Sequence, residues 1–547
     1  MNAIWILALG MAVVIVGVLA LRLHAFLALL LGTLVVGVLT SHDMILRHYL
    51  RQASLEVVEV NGQNAHLNSQ NRTPSGSAFL LRDTSELLVP DTFSVTATVL
   101  KTDQKNSLVQ IDGPQVEVGD RLIGELEFKA AQANAGRGLG AHVAAGFGGT
   151  CAKIGILIAM AAVIGKCLLD SGAAERIVIS AQNLLGEKHT PLAFLGSGFV
   201  VGIPVFFDTV FYLLLPLGKA MRVKTGKHYL LYILSIVAGA TMAHSLVPPT
   251  PGPLFVAGEL GVDIGLMMIG GIGVGLFTIA IGFLYAKWAD LRWEIPLRPS
   301  AELTEEELKA MAQRNARDLP PLWASLMPIV LPVILIAGGT GVSMYFGREA
   351  KPNWAEFVLK VADKNIALCI AAAFAILLYV KMKRPTRVLF GSAMQNALAS
   401  GGVIILITAA GGAFGQALRN TGIAEIISNL VPNSSSALLW LPIAFCVTSA
   451  VRIAQGSATV AMITAVGIIG PIASASEMGF HPLYLALAIG CGSKPVPWMN
   501  DSGFWLISKM SGMTEAETLK TASIMMSLMG FAGLAATMLA ALVMPLG

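Results

Sequence analysis

The sequence predicts an all-α polytopic membrane protein that carries one small all-β inserted domain. Three observations predict it. Apolar residues make up 55% of the 547 and charged residues only 13%, about half the roughly 25% charge of a soluble domain. Apolar runs of near-spanning length recur along the chain. One stretch, 51–130, is instead polar and alternates with the period of a strand. A single water-soluble globule is excluded, because that much apolar surface cannot be hidden in one core. The balance of 37 Lys+Arg against 33 Asp+Glu, a net +4, gives no reason to expect nucleic acid, and the lipid bilayer is the expected surrounding.

The first apolar run, near 3–21, has no Lys or Arg before it and no small-residue cleavage site after it. It therefore reads as a retained helix and not as a removed signal peptide. Further runs lie near 25–40, 149–169, 229–248, 264–286, 322–345, 364–380, 391–415 and 521–545. Regions 190–217, 437–472 and 481–508 are also apolar but are broken by Gly, Pro and polar residues. About eleven to fourteen membrane-crossing or re-entrant elements are expected. Orientation follows from three basic clusters: Lys219, Arg222, Lys224 and Lys227; Lys287, Arg292 and Arg298; Lys381, Lys383, Arg384 and Arg387. Two spans separate each cluster from the next, so all three can face the cytoplasm. Arg22 is then inside, and the N-terminus and residue 41 are outside.

Within 51–130, the segments Leu55–Val60, Phe93–Leu100, Leu108–Asp112 and Arg121–Phe128 alternate like strands. Asn61-Gly62, Asp112-Gly113-Pro114 and Gly119-Asp120 supply turns between them. They predict a small β-rich insert, with a barrel as one form it could take, on the periplasmic side by the charge argument. Asn71-Arg72-Thr73 fits a glycosylation sequon, a pattern common by chance. Residues 300–320 read as a charged cytoplasmic linker in which Thr304 and Glu307 form a capping-box pattern opening a short helix. Cys151, Cys167, Cys369, Cys446 and Cys491 all lie in apolar stretches without a CxxC pair. They read as small core residues, and no disulfide, metal site or cofactor is expected.

Self-similarity at an offset of 250 is the informative feature. Gly165-Lys166-Cys167-Leu168-Leu169-Asp170-Ser171-Gly172 lies over Gly415-Gln416-Ala417-Leu418-Arg419-Asn420-Thr421-Gly422. Gly202–Val210 lies over Arg452–Val460, and Pro248–Gly252 lies near Pro497–Gly503. By the charge assignment one unit begins outside and the other inside, so the repeats are inverted. Inverted repeats with interrupted helices are an architecture of secondary transporters. The domains are then an N-terminal transmembrane hairpin (1–50), the periplasmic insert (51–130), a first repeat (131–290), a linker (291–320), connecting transmembrane helices (321–390) and a second repeat (391–547).

The breaks hold the residues with chemistry. Asp208 follows Gly202-Ile203-Pro204 in an apolar stretch, where a carboxylate costs at least about 2.5–3.5 kcal/mol. It reads as a proton carrier or substrate contact, or else as a cytoplasmic-end residue beside the Lys219 cluster. Asn500-Asp501-Ser502-Gly503 follows Lys494-Pro495-Val496-Pro497, either as an exposed turn or as one half of a paired broken-helix site with Pro248–Gly252. Arg452, Gln455, Ser457 and Thr459 stand on one broken element. Arg suits a carboxylate because its fork can bond both oxygens, and the hydroxyls suit a polyol; the alternative is small-residue helix packing with a snorkelling Arg. Gly146-Phe147-Gly148-Gly149-Thr150 opens the first repeat, either as a helix-start anion site or as a flexible entry. His244, before the first Pro-rich break, is a proton-coupling group or a satisfied structural histidine. Lys153 and Lys166 are weaker candidates, since both can lie near helix ends. No P-loop, HExxH or GxSxG motif occurs, so ATP-driven pumping and enzymatic catalysis are not expected.

At these residues the chain resembles the gluconate permease family, proton symporters of sugar acids within the ion-transporter superfamily. The resembling blocks are Gly148-Gly149-Thr150, Gly165-Lys166, Asp170-Ser171-Gly172, Pro248–Pro253, Arg452–Ala461 and Asn500-Asp501-Ser502-Gly503-Phe504-Trp505. The last two are the most specific, and the resemblance covers roughly 1–50 and 135–547. It implies a bacterial inner-membrane importer of gluconate-like acids driven by protons, and a homodimer by analogy with the superfamily alone. The chain departs from the family pattern at Thr250, where His is frequent, at Asp208, where Glu is usual, and at Lys494, Pro495 and Pro497 before Asn500. The β insert is a further departure.

The combined expectation is a carboxylate held near the bilayer midplane by Arg452 and helix N-termini. Thr150, Thr250, Gln455, Ser457, Thr459, Asn500 and Lys494 contribute further substrate contacts. Asp208, Asp501 or His244 carries the proton. A sodium-coupled carboxylate or amino-acid carrier on the same fold is the transport alternative. A membrane sensor using the β insert is the alternative of another class.

Overall fold

The computed structural model describes the whole chain except residues 1–2, 20, 22, 62, 69–72, 83–90, 103–105, 299–318, 347–350, 424–436, 476–477, 500 and 547. Arg22, the Thr304–Glu307 capping pattern and two residues of the sequon therefore lie outside the described residues. The helices in chain order are α1 (Ala3–Leu19), α2 (Ala25–Leu39), α3 (His42–Ala53), α4 (Glu125–Ala135), α5 (Leu139–Asp170), α6 (Ala173–Leu185), α7 (Thr190–Gly202), α8 (Phe207–Thr225), α9 (Tyr229–Leu246), α10 (Pro251–Glu259) and α11 (Ile264–Arg292). They continue with α12 (Leu322–Phe346), α13 (Asn353–Val361), α14 (Lys364–Lys383), α15 (Arg387–Arg419), α16 (Trp440–Gln455), α17 (Ala458–Ala475), α18 (Pro482–Gly492), α19 (Ser502–Ser511) and α20 (Glu515–Val543). The last contains one π turn, Leu519–Ser523. Among the described residues seven helices are long and apolar enough to cross a membrane, or eight if α2 and α3, bent by 97°, form one span. Shorter apolar helices are α7, α16, α17, α18 and most of α1.

The two sets of helices follow one another in the same order at a spacing of about 250 residues. α5 corresponds to α15, α7 and α8 to α16 and α17, α9 and α10 to α18 and α19, and α11 to α20. Corresponding elements also pack in corresponding ways. α7 packs on α9 as α16 packs on α18, and α9 packs on α11 as α18 packs on α20. Across the halves, α10 rests on α17 and α19 rests on α8. α5 and α15 form the most extensive helix pair. They run antiparallel: Gly146 faces Ala413 and Gln416, whereas Gly401 faces Ile158, Ala159 and Ala162. Small residues permit this close approach. The α7–α9 contact is closer still, since a Cβ on Gly239 would strike the Leu195 carbonyl.

Burial separates interior helices from outer ones. α9 is buried along nearly all of its length, while Trp5 on α1, Leu284 on α11 and Leu539 on α20 expose large apolar side chains. An apolar exterior is what a bilayer requires, because hydrocarbon replaces water as the solvent there.

Residues 55–124 form a closed antiparallel barrel of β1 (Leu55–Asn61), β2 (Asn64–Asn68), β3 (Gly76–Arg82), β4 (Asp91–Thr102), β5 (Asn106–Asp112) and β6 (Arg121–Gly124), in the order β1-β2-β5-β4-β3-β6. Closure leaves no free edge strand. Val57, Leu67, Leu80, Val109, Ile111 and Leu122 fill its interior. Arg82 binds both Asp120 oxygens, at 2.9 and 2.7 Å, and this pairing raises the Arg82 pKa above its ordinary value. The expected strand Arg121–Phe128 is corrected: it ends at Gly124, and Glu125–Ala135 is helical. Phe128 packs from that helix on Phe79, with ring centroids 4.3 Å apart. β2 and β3 were not among the expected strands.

Candidate functional site

A cavity of about 390 Å³ opens where the interrupted helices of the two halves meet, within the roughly 300–1,000 Å³ of small-molecule sites. The first interruption separates α7 from α8. Pro204 has no N–H to continue α7, and α8 starts afresh after Phe206, whose side chain makes no capping bond. Asp208 consequently stands in the first turn of α8, at a helix end whose free N–H groups favour a carboxylate. It lines the cavity, is exposed to it, and has no hydrogen-bond or ion-pair partner among the described residues.

The second interruption separates α16 from α17. Gly456 takes a left-handed conformation, φ 79°, which ends α16 without the steric cost a side chain would bring. Ser457 then caps α17, accepting from the Val460 N–H at 3.4 Å. Arg452, from the last turn of α16, is 3% exposed. Its Nε donates to the Ser493 carbonyl at 3.0 Å, one Nη donates to the Gly456 carbonyl and the other to Asp501 Oδ2. The remaining Asp501 oxygen accepts from the Gly503 N–H at 2.8 Å and caps α19. This pair thus ties together the ends of α16 and α18 and the start of α19.

Lys494, at the end of α18, is 2% exposed and lines the cavity. Its Nζ donates to the Thr241 carbonyl at 2.6 Å, and no carboxylate lies within ion-pair distance among the described residues. An ammonium has three donors, so one carbonyl does not satisfy it. His244 lines the same cavity. Its Nε2 lies 3.4 Å from Thr459 Oγ1, and its buried Nδ1 has no partner among the described residues.

Of the expected site residues, the structure brings together Asp208, His244, Arg452, Ser457, Thr459, Lys494 and Asp501. Thr150 and Thr250 are not in the cavity lining. The expected helix start at Gly146–Thr150 is corrected, because α5 begins at Leu139. Thr150 lies inside the helix, bonds the Gly146 carbonyl at 3.1 Å and packs against Gly412. Thr250 is buried and donates to the Val247 carbonyl at 2.7 Å, just before α10. Gln455 ends α16, but its side chain lies outside the described residues, as does Asn500. Lining residues not anticipated include Thr209, Thr241, Ser400, Thr518 and Ser523. The repeat holds the signal for two of them: Ser400 lies 250 residues after Thr150, and Thr209 lies 250 before Thr459. Thr518 and Ser523 flank and close the π turn of α20, a distortion frequent beside functional sites.

The family model for the GntP family permease matches residues 136–543. The chain belongs to this family. It is 35% identical over 380 residues to an uncharacterized permease of Haemophilus influenzae, covering 68% of this chain and 76% of that one. It is 33% identical over 407 residues to a gluconate permease of Pseudomonas aeruginosa, covering 73% and 87%. It is 33% identical over 426 residues to the inner membrane permease YgbN of Escherichia coli, covering 75% and 90%. As a GntP family member the chain is a multi-pass bacterial membrane protein and a transporter, not an enzyme. The barrel precedes the matched region and is additional to the family unit.

Proposed function

We propose that this permease imports gluconate or a related sugar acid across the inner membrane by proton symport. The observation that carries the reading is the cavity itself, which presents a carboxylate without a partner among the described residues, Asp208, and a buried, under-satisfied ammonium, Lys494. The ammonium, with the N–H groups that Arg452 does not use internally, binds the substrate carboxylate. Arg452 has five donors and three are engaged, so it is a scaffold first and a substrate contact second. Ser457, Thr459 and Thr209 bond substrate hydroxyls. Asp208 carries the proton, whereas Asp501 has both oxygens committed and positions Arg452. Gln455, Asn500 and His244 remain substrate or proton contacts in this reading.

The repeats are inverted in the membrane. The antiparallel α5–α15 packing and the crossed α10–α17 and α8–α19 contacts support this. The basic clusters then face the cytoplasm and the barrel faces the periplasm. Rocking of one half against the other around the shared cavity exposes it alternately.

The test is uptake of labelled gluconate into proteoliposomes with and without an inward proton gradient, with a parallel sodium gradient. Gradient-driven accumulation that requires protons and ignores sodium is expected. Accumulation driven by sodium alone would replace the proton with sodium, and folded protein that neither accumulates nor exchanges gluconate would remove the substrate.

A further inference from the structure

A second cavity, of about 340 Å³, lies away from the transport site. It is framed by the short turn Glu187–His189, the start of α7, the end of α8, the start of α9 and the last third of α11. Lys188, Lys227 and Lys287 line it with His189 and His228. Two acids lie nearby against the three lysines: Asp290 is already committed, accepting from His228 at 2.7 Å and from the Leu231 N–H at 3.2 Å, and Glu187 precedes Lys188 with its side chain outside the described residues. Among the described residues none of the three lysines forms an ion pair, and the Lys287 ammonium lies over the Phe283 ring at 4.9 Å. The cavity therefore carries a local excess of positive charge at the bundle end that holds two of the basic clusters.

Its other walls are apolar. Pro191, Leu192, Leu231 and Phe283 form them. On α11 beside the cavity, Leu284 and Trp288 are exposed. Tyr285, Trp288 and Trp293 run as a ladder, with successive ring centroids 5.4 and 5.2 Å apart. Aromatic side chains of this kind sit at the headgroup level of a bilayer. A soluble anion needs the cations but not the apolar walls and the exposed Leu284 and Trp288 beside them. A phospholipid needs both.

We propose that this cavity binds an anionic phospholipid, its headgroup phosphate held by Lys188, Lys227 and Lys287 and its acyl chains laid along α11. Basic pockets between transmembrane helices are suited to such headgroups. The site is independent of the transported substrate, because it shares no lining residue with the central cavity.

The experiment is native mass spectrometry of the full-length protein released from detergent after exchange with phosphatidylglycerol or phosphatidylcholine. Wild type retains phosphatidylglycerol and not phosphatidylcholine. The K227Q/K287Q variant retains about 25-fold less, from about fivefold for each lysine at an anionic lipid surface. K381Q/K383Q, outside the cavity, retains as much as wild type. K188Q/K227Q leaves α11 intact and takes the place of the first variant if that one fails to fold. Equal retention by wild type and the cavity variants, or equal retention of the two lipids, overturns the proposal. Displacement of phosphatidylglycerol by excess inorganic phosphate overturns it too, in favour of a free-anion site.

Discussion

The two halves of this permease build the same frame and put different chemistry on it. At the break between α7 and α8 the frame presents Asp208, free of partners among the described residues. At the corresponding break between α16 and α17 it presents Arg452, which is tied to Asp501 and to two carbonyls. Equivalent positions 250 residues apart carry His244 in one half and Lys494 in the other, and both line the cavity. Thr209 and Thr459 form a second such pair and are unchanged. A repeated frame can in this way divide its work between its halves. A carboxylate with no partner can exchange a proton at little structural cost, whereas a carboxylate that caps a helix and neutralises a buried Arg belongs to the scaffold. In the function proposed above, one half supplies the exchangeable acid and the other the anion site.

Neutralising each acid in turn has the largest expected effect. D208N is expected to lose all proton-driven accumulation while retaining gluconate exchange in counterflow, with an unchanged unfolding temperature. D501N is expected to lose both, because it leaves Arg452 buried and uncompensated at a cost of about 3–5 kcal/mol. Uptake, counterflow and thermal unfolding of the two variants check this together. If D208N accumulates normally, or if D501N folds as stably as wild type, the division between exchangeable and scaffold acid is wrong.

Lys494 tests the anion side. K494Q removes an ammonium bonded to a single carbonyl, so folding should be little affected. The KM for gluconate is expected to rise about tenfold, the equivalent of about 1.4 kcal/mol, with a smaller change in maximal rate. An unchanged KM would return the carboxylate to Arg452 alone.

Much of this site was legible in the sequence because its frame is a break pattern. Gly202-Ile203-Pro204 and Arg452–Ser457 sit at one offset, and helix-breaking residues inside apolar runs leave few other readings. Asp208, Lys494 and Arg452 stood out because charge is rare there. Ser400 did not, since it sits within a continuous apolar helix and reaches the cavity only through the packing of α15. Thr150 misled for the complementary reason. Its Gly-rich surroundings read as a helix start, yet α5 begins about three turns earlier, and those glycines face a neighbouring helix at Gly146 or open space at Gly148 and Gly149. In the barrel, Glu125-Leu126-Glu127-Phe128 alternates like a strand, but these are also helix formers, and docking of Phe128 on Phe79 decides for the helix.

A finer comparison uses the paired threonines. Thr459 Oγ1 lies 3.4 Å from His244 Nε2, while Thr209 has no corresponding contact among the described residues. T459V is expected to raise the gluconate KM about fivefold, one hydrogen bond of about 1 kcal/mol, and T209V by less. Equal effects would mean that the substrate hydroxyls, not His244, set the value of both side chains.

The smallest effect is expected farther from the cavity, where the halves differ in charge but not in geometry. Lys166 bonds Asp170 at 2.9 Å, and 250 residues later Gln416 bonds Asn420 at 2.9 Å. One turn of helix is bridged by an ion pair in the first half and by an amide pair in the second. The Lys166 and Asp170 side chains are 34% and 26% exposed, and partly exposed ion pairs are worth about 0–1 kcal/mol. The double variant K166Q/D170N, which gives the first half the second half's bridge, should therefore shift stability by less than about 1 kcal/mol and leave gluconate uptake unchanged. It should also remove any salt dependence that this turn contributes to thermal unfolding. Lost uptake in a stably folded K166Q/D170N protein would show that the division of charge between the halves extends beyond the cavity, and that the two ends of α5 and α15 are not interchangeable parts of one frame.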